Sequence, residues 1–359
     1  MKLFVEPVDV WMFRDGRPFD AGSDHHAASL FPPPPTVMQG VVRSHHLVVA
    51  GVDLRDPAAI KSSVGTAEDY GRLRLRGPFL ARREGGRVTR YLPLPADALL
   101  EEAPATREAS RGERERRARP LKPEDLSSRG VFTSAPTPRL LWSKGGASKG
   151  EEGWLREDAL MAYLADRPAK VTPSHALFRH ESRLGVGLDD SRRTAREHLL
   201  YEARYVRPAE GVGLELEMEG LEGWPETGVM RMGGEGRGAY YGASDSEPWP
   251  PPPDPLPARF KLVLATPACL ARGWQPAAWS ALLDGPAVLV AAALHRYQAL
   301  GGYDVARGDH KPARRYVPAG SVYYFESDGR TRLSATSFNG ALTDWGGEIG
   351  FGQILIGGW

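Results

Sequence analysis

Cysteine is almost absent: Cys269 is the only one in 359 residues. One thiol excludes a disulfide framework and a cysteine-built zinc site. Long apolar runs are missing too. The strongest, Ala287 to Leu294, falls far short of the ~20 residues a membrane helix needs. Neither sign of charge dominates, with 46 Lys and Arg against 45 Asp and Glu and a formal net charge of +1. That balance excludes a uniformly basic tail protein and an acidic one. The opening MKLFVEPVDVW carries Glu6 and Asp9 where a signal peptide is purely apolar. A soluble, cytoplasmic protein is expected, with no membrane partner. Lysine is scarce as well: only eight of the 46 cations are lysines. Arginine, the planar and always-charged cation suited to phosphates and stacked bases, supplies the rest.

What is present in ordinary amount is core material, with 41% hydrophobic and 25% charged residues. What is present in excess is glycine (41) and proline (31), which implies many turns and loops. A length of 359 residues suggests two domains at ~150 residues each.

Catalytic signatures fail one after another. No G-x-x-x-x-G-K-S/T phosphate loop occurs, and Lys144 to Gly150 (KGGASKG) resembles one only superficially. Gly233 to Gly238 (GGEGRG) misses the dinucleotide spacing. H-E-x-x-H and G-x-S-x-G are absent. The histidine pairs His25-His26 and His45-His46 are adjacent, so their side chains diverge and make a poor two-ligand metal site. No paired carboxylates and no nucleophile-base couple emerge from spacing. No catalytic residue, cofactor or metal is therefore assigned. His25, on a long loop, is the one candidate for acid-base work.

The local pattern is α+β. Lys2 to Phe13 alternates as a strand. Thr36 reads as an N-cap for a helix whose stripe is Val37, Val41, Leu47 and Val48, ending near Ala50. Arg72 to Pro93 reads as a hairpin turning at Glu84-Gly85-Gly86. Glu101 to Pro138 is polar and arginine-rich with little periodicity, and Lys144 to Gly153 is Gly/Ser/Lys-rich. Leu155 to Leu164 reads as a short helix. Strands follow at Ala176 to Phe178, Leu199 to Val206, Val212 to Met218, Arg259 to Thr266, Val317 to Phe325 and Phe351 to Ile356. Ala277 to Leu283 reads as a helical turn, Val288 to Leu294 as a buried element, and Pro248 to Pro257 as an extended connector. Two open sheets of the split β-α-β kind suit the length.

Four segments carry the chemistry of anion binding. Gly346, Gly347, Gly350 and Gly352 surround a strand start, where backbone N–H groups can meet a phosphate. A bulged β-turn explains the same glycines equally well. Arg231-Met-Gly-Gly-Glu-Gly-Arg237, with Gly233 and Gly234, adds two arginines to such a loop. Phe178 to Tyr201 reads as a long exposed hairpin flanked by Arg179, Arg183, Arg192, Arg193 and Arg196 around an Asp-Asp tip. Such an arm can follow a phosphate backbone and wedge its tip between bases. Lys311, Arg314 and Arg315 precede a strand. In contrast, Glu210 to Glu226 holds six glutamates and no cation, so charge is sorted by region.

Together and in order, these segments resemble the RAMP superfamily of CRISPR-associated proteins. More narrowly, the chain is similar to the third-subunit family of the Cmr complex, the type III-B RNA-guided effector. The matching stretches are Glu6 to Gly22, Phe31 to Ser44, Arg183 to Arg207, Arg231 to Tyr241, Lys311 to Glu326 and Gly350 to Trp359. The resemblance implies two packed ferredoxin-like domains related to RNA-recognition modules. The expected division is 1–170, with an insertion at about 101–153, and 171–359, with a thumb-like hairpin at 178–201. It implies no nuclease activity and a grip on the 5′ repeat-derived tag of the CRISPR RNA. The implied partners are the large polymerase/cyclase-like subunit and the first backbone subunit. The expected RNA contacts are Arg179, Arg183, Arg192, Arg193, Arg231, Arg237, Lys311, Arg314 and Arg315 with the two glycine loops, and then Arg14 and His25. A rival reading is a metal-independent endoribonuclease of the same superfamily, using His25 or His26. Another is a protein-protein adaptor without RNA affinity.

Overall fold

The fold comes from a computed structural model, which describes residues 1–14, 26–102, 115–127, 130–131, 137–143, 153–188, 191–192, 194–304, 308–334 and 340–359. It is a mixed α+β fold, mostly strands, with three α-helices among the described residues. Cα proximity divides the chain into two units, each assembled from three separate segments. The first takes Met1–Val88, His175–Asp245 and Ala299–Arg315. The second takes Thr89–Ser174, Ser246–Gln298 and Tyr316–Trp359.

The first unit is built on an antiparallel sheet ordered Gly228–Arg231, Gly238–Ala243, Lys2–Pro7, Val212–Glu219 and Arg74–Glu84. Leu3 and Val5 pair with Leu216 and Leu214, and all four are buried. The strand expected over Lys2 to Phe13 stops at Pro7, and it does not alternate: Leu3, Phe4 and Val5 are buried in succession, because both faces of this inner strand are covered. At Gly85 and Gly86 both φ angles are positive, 57° and 88°, as a two-residue turn between strands of right-handed twist requires.

Helix α1 (Pro35–Val49) differs from its expected form in two ways. Its N-cap is Pro34 and Pro35 takes the first helical position, where a missing N–H costs nothing. Thr36 lies inside the helix and caps nothing. The buried face is Met38, Gln39, Val42 and His46, turned away from the all-aliphatic stripe. Polar side chains with partners made that face possible. Gln39 donates to the Thr36 carbonyl and accepts from Arg43. His46 Nδ1 accepts from Trp224 Nε1 at 3.1 Å. Burial lowers the pKa of both His45 and His46, so both are neutral packing groups within the unit.

The second unit holds two antiparallel sheets. One is ordered Arg87–Pro93, Gly153–Arg156, Ala169–Pro173, Arg116–Pro120 and Ala98–Glu102. The other is Ala287–Ala293, Val322–Ser327, Arg259–Leu264 and Ile354–Gly358. Leu155 belongs to a strand, and the helix expected there begins only at Glu157 and runs over Glu157–Leu164. Ala287–Ala293 is only half buried, with Val288 facing solvent. Leu262, Leu264, Tyr323 and Phe325 anchor one apolar cluster.

A buried polar knot ties this unit together. Asp97 accepts from Tyr163 Oη at 2.6 Å and from Lys261 Nζ at 2.8 Å. The Tyr324 hydroxyl also donates to it. Asp97 and Lys261 are both fully buried. A charge pair is tolerated there because each member has its partner and three donors meet the carboxylate.

Candidate nucleic-acid interface

The expected hairpin exists and is longer than its sequence boundaries. Phe178–Leu188 pairs antiparallel with Ala195–Pro208, and His26–Ala27 joins the second strand in parallel. Its root is anchored in the first unit. Trp11 and Val206 exchange backbone hydrogen bonds at 2.9 and 2.8 Å. Val10, Met12, Ala27, Ala203 and Tyr205 bury together. Phe31 packs edge-on against Phe178 at 4.8 Å between ring centroids.

Cross-strand pairing then sorts side chains onto two faces. On one face Glu181 lies opposite Tyr205, and Arg179 opposite Arg207. The other face holds Leu184, Val186 and Leu188, with Leu200 opposite Val186. Here Leu184 is 74% exposed and Leu200 58%. Arg204, opposite Ser182, is also exposed on that side.

The first face carries an ion network that sequence spacing did not reveal. Asp9 accepts from Arg183 and pairs with Arg207, both at 3.1 Å, and with Arg237 at 3.5 Å. Glu181 takes Arg207 Nε at 2.5 Å and Arg183 Nη2 at 2.7 Å. Tyr205 donates to Glu235 at 2.6 Å, and Glu235 also pairs with Arg237 at 3.2 Å. The guanidinium carbons of Arg183 and Arg237 sit 4.8 and 4.7 Å from the Tyr205 ring centroid, within cation–π range. Hydrogen bonds from Arg207 and Arg183 bring the Glu181 pKa down to about 2. The hydrogen bond from Arg183 is the main cause of the lowered pKa of Asp9. Charges within this network match one for one: three arginines face three carboxylates.

Glu235 adopts a left-handed backbone, φ 59° and ψ 26°, which is uncommon outside glycine. Its bonds to Tyr205 and Arg237 hold it there. Gly233 is needed for the chain's own packing. A Cβ there would stand 2.7 Å from the Met12 carbonyl oxygen, and Gly234 N–H donates to that same oxygen at 2.7 Å. The Arg231 to Arg237 loop is thus sewn to the N-terminal segment.

The expected contact residues therefore divide. Arg183 and Arg237 meet in the network. Arg179 and Arg231 are exposed with no ion pair among the described residues. Arg192 is exposed near the arm's tip, and Arg14 is exposed beside a bridge to Ser29. His25 and Arg193 lie outside the described residues. Lys311, Arg314 and Arg315 lie on a strand themselves, Asp309–Tyr316, which pairs with Gln298–Asp304. This second hairpin was not legible as an element. Arg204, Tyr205, Glu181 and Asp9 are the residues spacing missed; their signal is the charge alternation Glu181, Arg183 on one strand facing Tyr205, Arg207 on the other.

The C-terminal glycine loop sits in the second unit. Gly346 and Gly350 are left-handed, with φ of 75° and 105°. A Cβ on Gly352 would stand 2.4 Å from the Leu342 carbonyl oxygen. Beside the loop is a cavity of about 270 Å³ whose wall includes Gly346, Gly347, Trp345, Asp344 and Glu348. Its wall has two carboxylates and no cation. No group of three His, Cys, Asp or Glu side chains converges as metal ligands among the described residues. No described helix is long and apolar enough to cross a membrane.

No curated protein matches the chain. Among solved structures it is similar to a chain of the type III-B Cmr-beta bound to cognate target RNA. That likeness has a TM-score of 0.51 and 15% identity, covering 90% of this chain and 86% of the other. The same values hold for Cmr-beta bound to cognate target RNA and AMPPnP, state 1. At that identity the likeness speaks for the fold. The family evidence runs the length of the chain: residues 3–359 match the model of the CRISPR-associated protein (Cas_Cmr3) family, and the chain belongs to that family.

Proposed function

We propose that this protein is a non-catalytic, RNA-binding subunit of a type III-B Cmr effector complex. In this reading each unit carries a ferredoxin-like fold. The chain holds the 5′ tag of the CRISPR RNA and bridges the large polymerase/cyclase-like subunit to the backbone subunit.

The observation that carries the reading is the clamped arm. A hairpin with exposed aliphatic side chains on one face costs stability in an isolated soluble protein unless something covers them. Here the arm's root is held by the Asp9 network, so its outer part projects in a set direction. Arg179 and Arg204 offer unpaired positive charge along it, suited to RNA phosphates. Leu184, Val186, Leu188 and Leu200 offer an apolar wedge that fits between splayed bases. Arg183, Arg207 and Arg237 act through position: their charge is spent on carboxylates.

The test is CRISPR RNA binding by the full chain, alone and with its large partner subunit, in EDTA. Stable tag-dependent binding without cleavage is expected. Specific cleavage of repeat RNA would favour the endoribonuclease reading, and binding to neither RNA form would favour the adaptor.

A further inference from the structure

We propose that the second hairpin, Gln298–Asp304 with Asp309–Tyr316, carries a stacking site for one unpaired RNA base, formed by Tyr303 and His310. This rests on the RNA-binding reading above and adds residues to it.

The segment Ala299–Arg315 belongs to the first unit, yet it scarcely enters a core. Leu300 is its one buried side chain among the described residues. Backbone pairing, not apolar burial, holds the hairpin. At its far end Tyr303 and His310 meet edge to face, their ring centroids 5.3 Å apart at 82°. Tyr303 nevertheless remains 54% exposed, and His310 is exposed as well. A tyrosine steadied by an aromatic neighbour and still half exposed is a platform for a flat π-system, because every base presents one. Glycines clear the approach. Gly301 and Gly302 precede the tyrosine on its strand, and Gly308 lies beside it, where a Cβ would stand 3.9 Å from the Tyr303 hydroxyl, so neither side crowds the ring with a bulky group.

Charge selects the ligand. Over 299–315 the sequence sets Arg307, Lys311, Arg314 and Arg315 against Asp304 and Asp309. Lys311, next to His310, has no ion pair among the described residues. The Lys311 stem lies over the bare Gly302, its Cδ 3.9 Å from where a Cβ would be. Strand alternation sets Lys311 on the face of the hairpin opposite the Tyr303–His310 pair, so an exposed ring on one face and an ammonium on the other match a stacked base and a neighbouring phosphate; an acidic protein surface would satisfy the ammonium and leave the ring idle.

The experiment compares wild type, Tyr303→Ala, Tyr303→Trp and Lys311→Ala in full-length protein. Fluorescein-labelled CRISPR RNA and a target-strand RNA are titrated separately. Tyr303→Ala should weaken binding of at least one of them roughly 5- to 150-fold, the range for losing one stacked base. Tyr303→Trp should restore it, with indole emission quenched by that RNA. Lys311→Ala should flatten the salt dependence by about 0.7 in log–log slope, one phosphate's share. If wild type binds RNA and Tyr303→Ala binds equally well, this inference is overturned while the proposed function stands. If Tyr303→Ala instead loses only a protein partner, the hairpin is a protein-docking surface and the inference is again overturned. If wild type binds no RNA, the proposed function falls first and the stacking site with it.

Discussion

Asp9 Oδ2 and Arg183 Nη2 stand 3.1 Å apart although 174 residues separate them in the chain. The pair joins the N-terminal segment to the projecting arm, and Arg207 and Arg237 complete the clasp on the same carboxylate. It separates two kinds of arginine in one surface: those that hold the protein's own shape and those left for a ligand.

Replacing Asp9 with Ala should loosen the arm without unfolding the unit. The pairs are partly exposed, so global stability should fall by no more than about 1 kcal/mol. Amide hydrogen exchange across Phe178–Pro208 should speed up, and RNA affinity should drop through lost orientation. Unchanged exchange in the arm would show that the clasp positions nothing.

Arg183→Lys should behave like a loss, not a conservative change. Arg183 bridges Glu181 and Asp9 at once and lies over Tyr205, a geometry an ammonium cannot reproduce. Equal exchange and equal RNA affinity in Arg183→Lys and wild type would contradict the planar-bridge account.

Acid should open the same clasp within a definite window. The Glu181 pKa is lowered from 4.5 to about 2 in the fold, so its contribution is full above about 4.5. That contribution is lost as pH falls towards 2, when the carboxylate is protonated and releases Arg207 and Arg183. Tyr205 fluorescence or arm exchange should therefore stay flat from neutral pH to about 5 and change below it. A transition centred near pH 6.5, where histidine titrates, would place the control elsewhere.

In the second unit Asp97→Ala should be severe. It leaves the Lys261 ammonium buried without its carboxylate and removes the acceptor of Tyr163 and one of the two acceptors of Tyr324, the other being the Leu121 carbonyl. A loss of about 3–5 kcal/mol is expected from breaking a buried pair on one side. Thermal unfolding would detect it, and a shift no larger than that of a surface substitution would sink the argument. The paired replacement Asp97→Leu with Lys261→Met should recover much of the loss.

Much of the fold was legible where hydrophobic alternation carries it. Val212–Glu219 is an example, because it buries the row Val212, Leu214, Leu216 and Met218. Arg116–Pro120 was read as part of an irregular insertion, for a physical reason. It buries little but Ala118 and Pro120, while Arg117 and Arg119 pair with Glu115 and Glu101, so no apolar period marks it. The second hairpin was hidden likewise by its glycines and cations. In the arm, the sequence pointed to Arg183 and Arg237 because they are arginines in loops and flanks. Their neutralisation by Asp9, Glu181 and Glu235 depends on contacts between residues far apart in the chain, which no local window contains.

The central claim is that the arm's unpaired arginines, and not its clasped ones, hold RNA. It is tested most directly by measuring CRISPR RNA affinity across a salt series for wild type and Arg179→Ala/Arg204→Ala. The account predicts weaker binding and a slope lower by about 1.4, two phosphates' worth on a single strand, with arm exchange unchanged. An affinity and slope identical to wild type would contradict it.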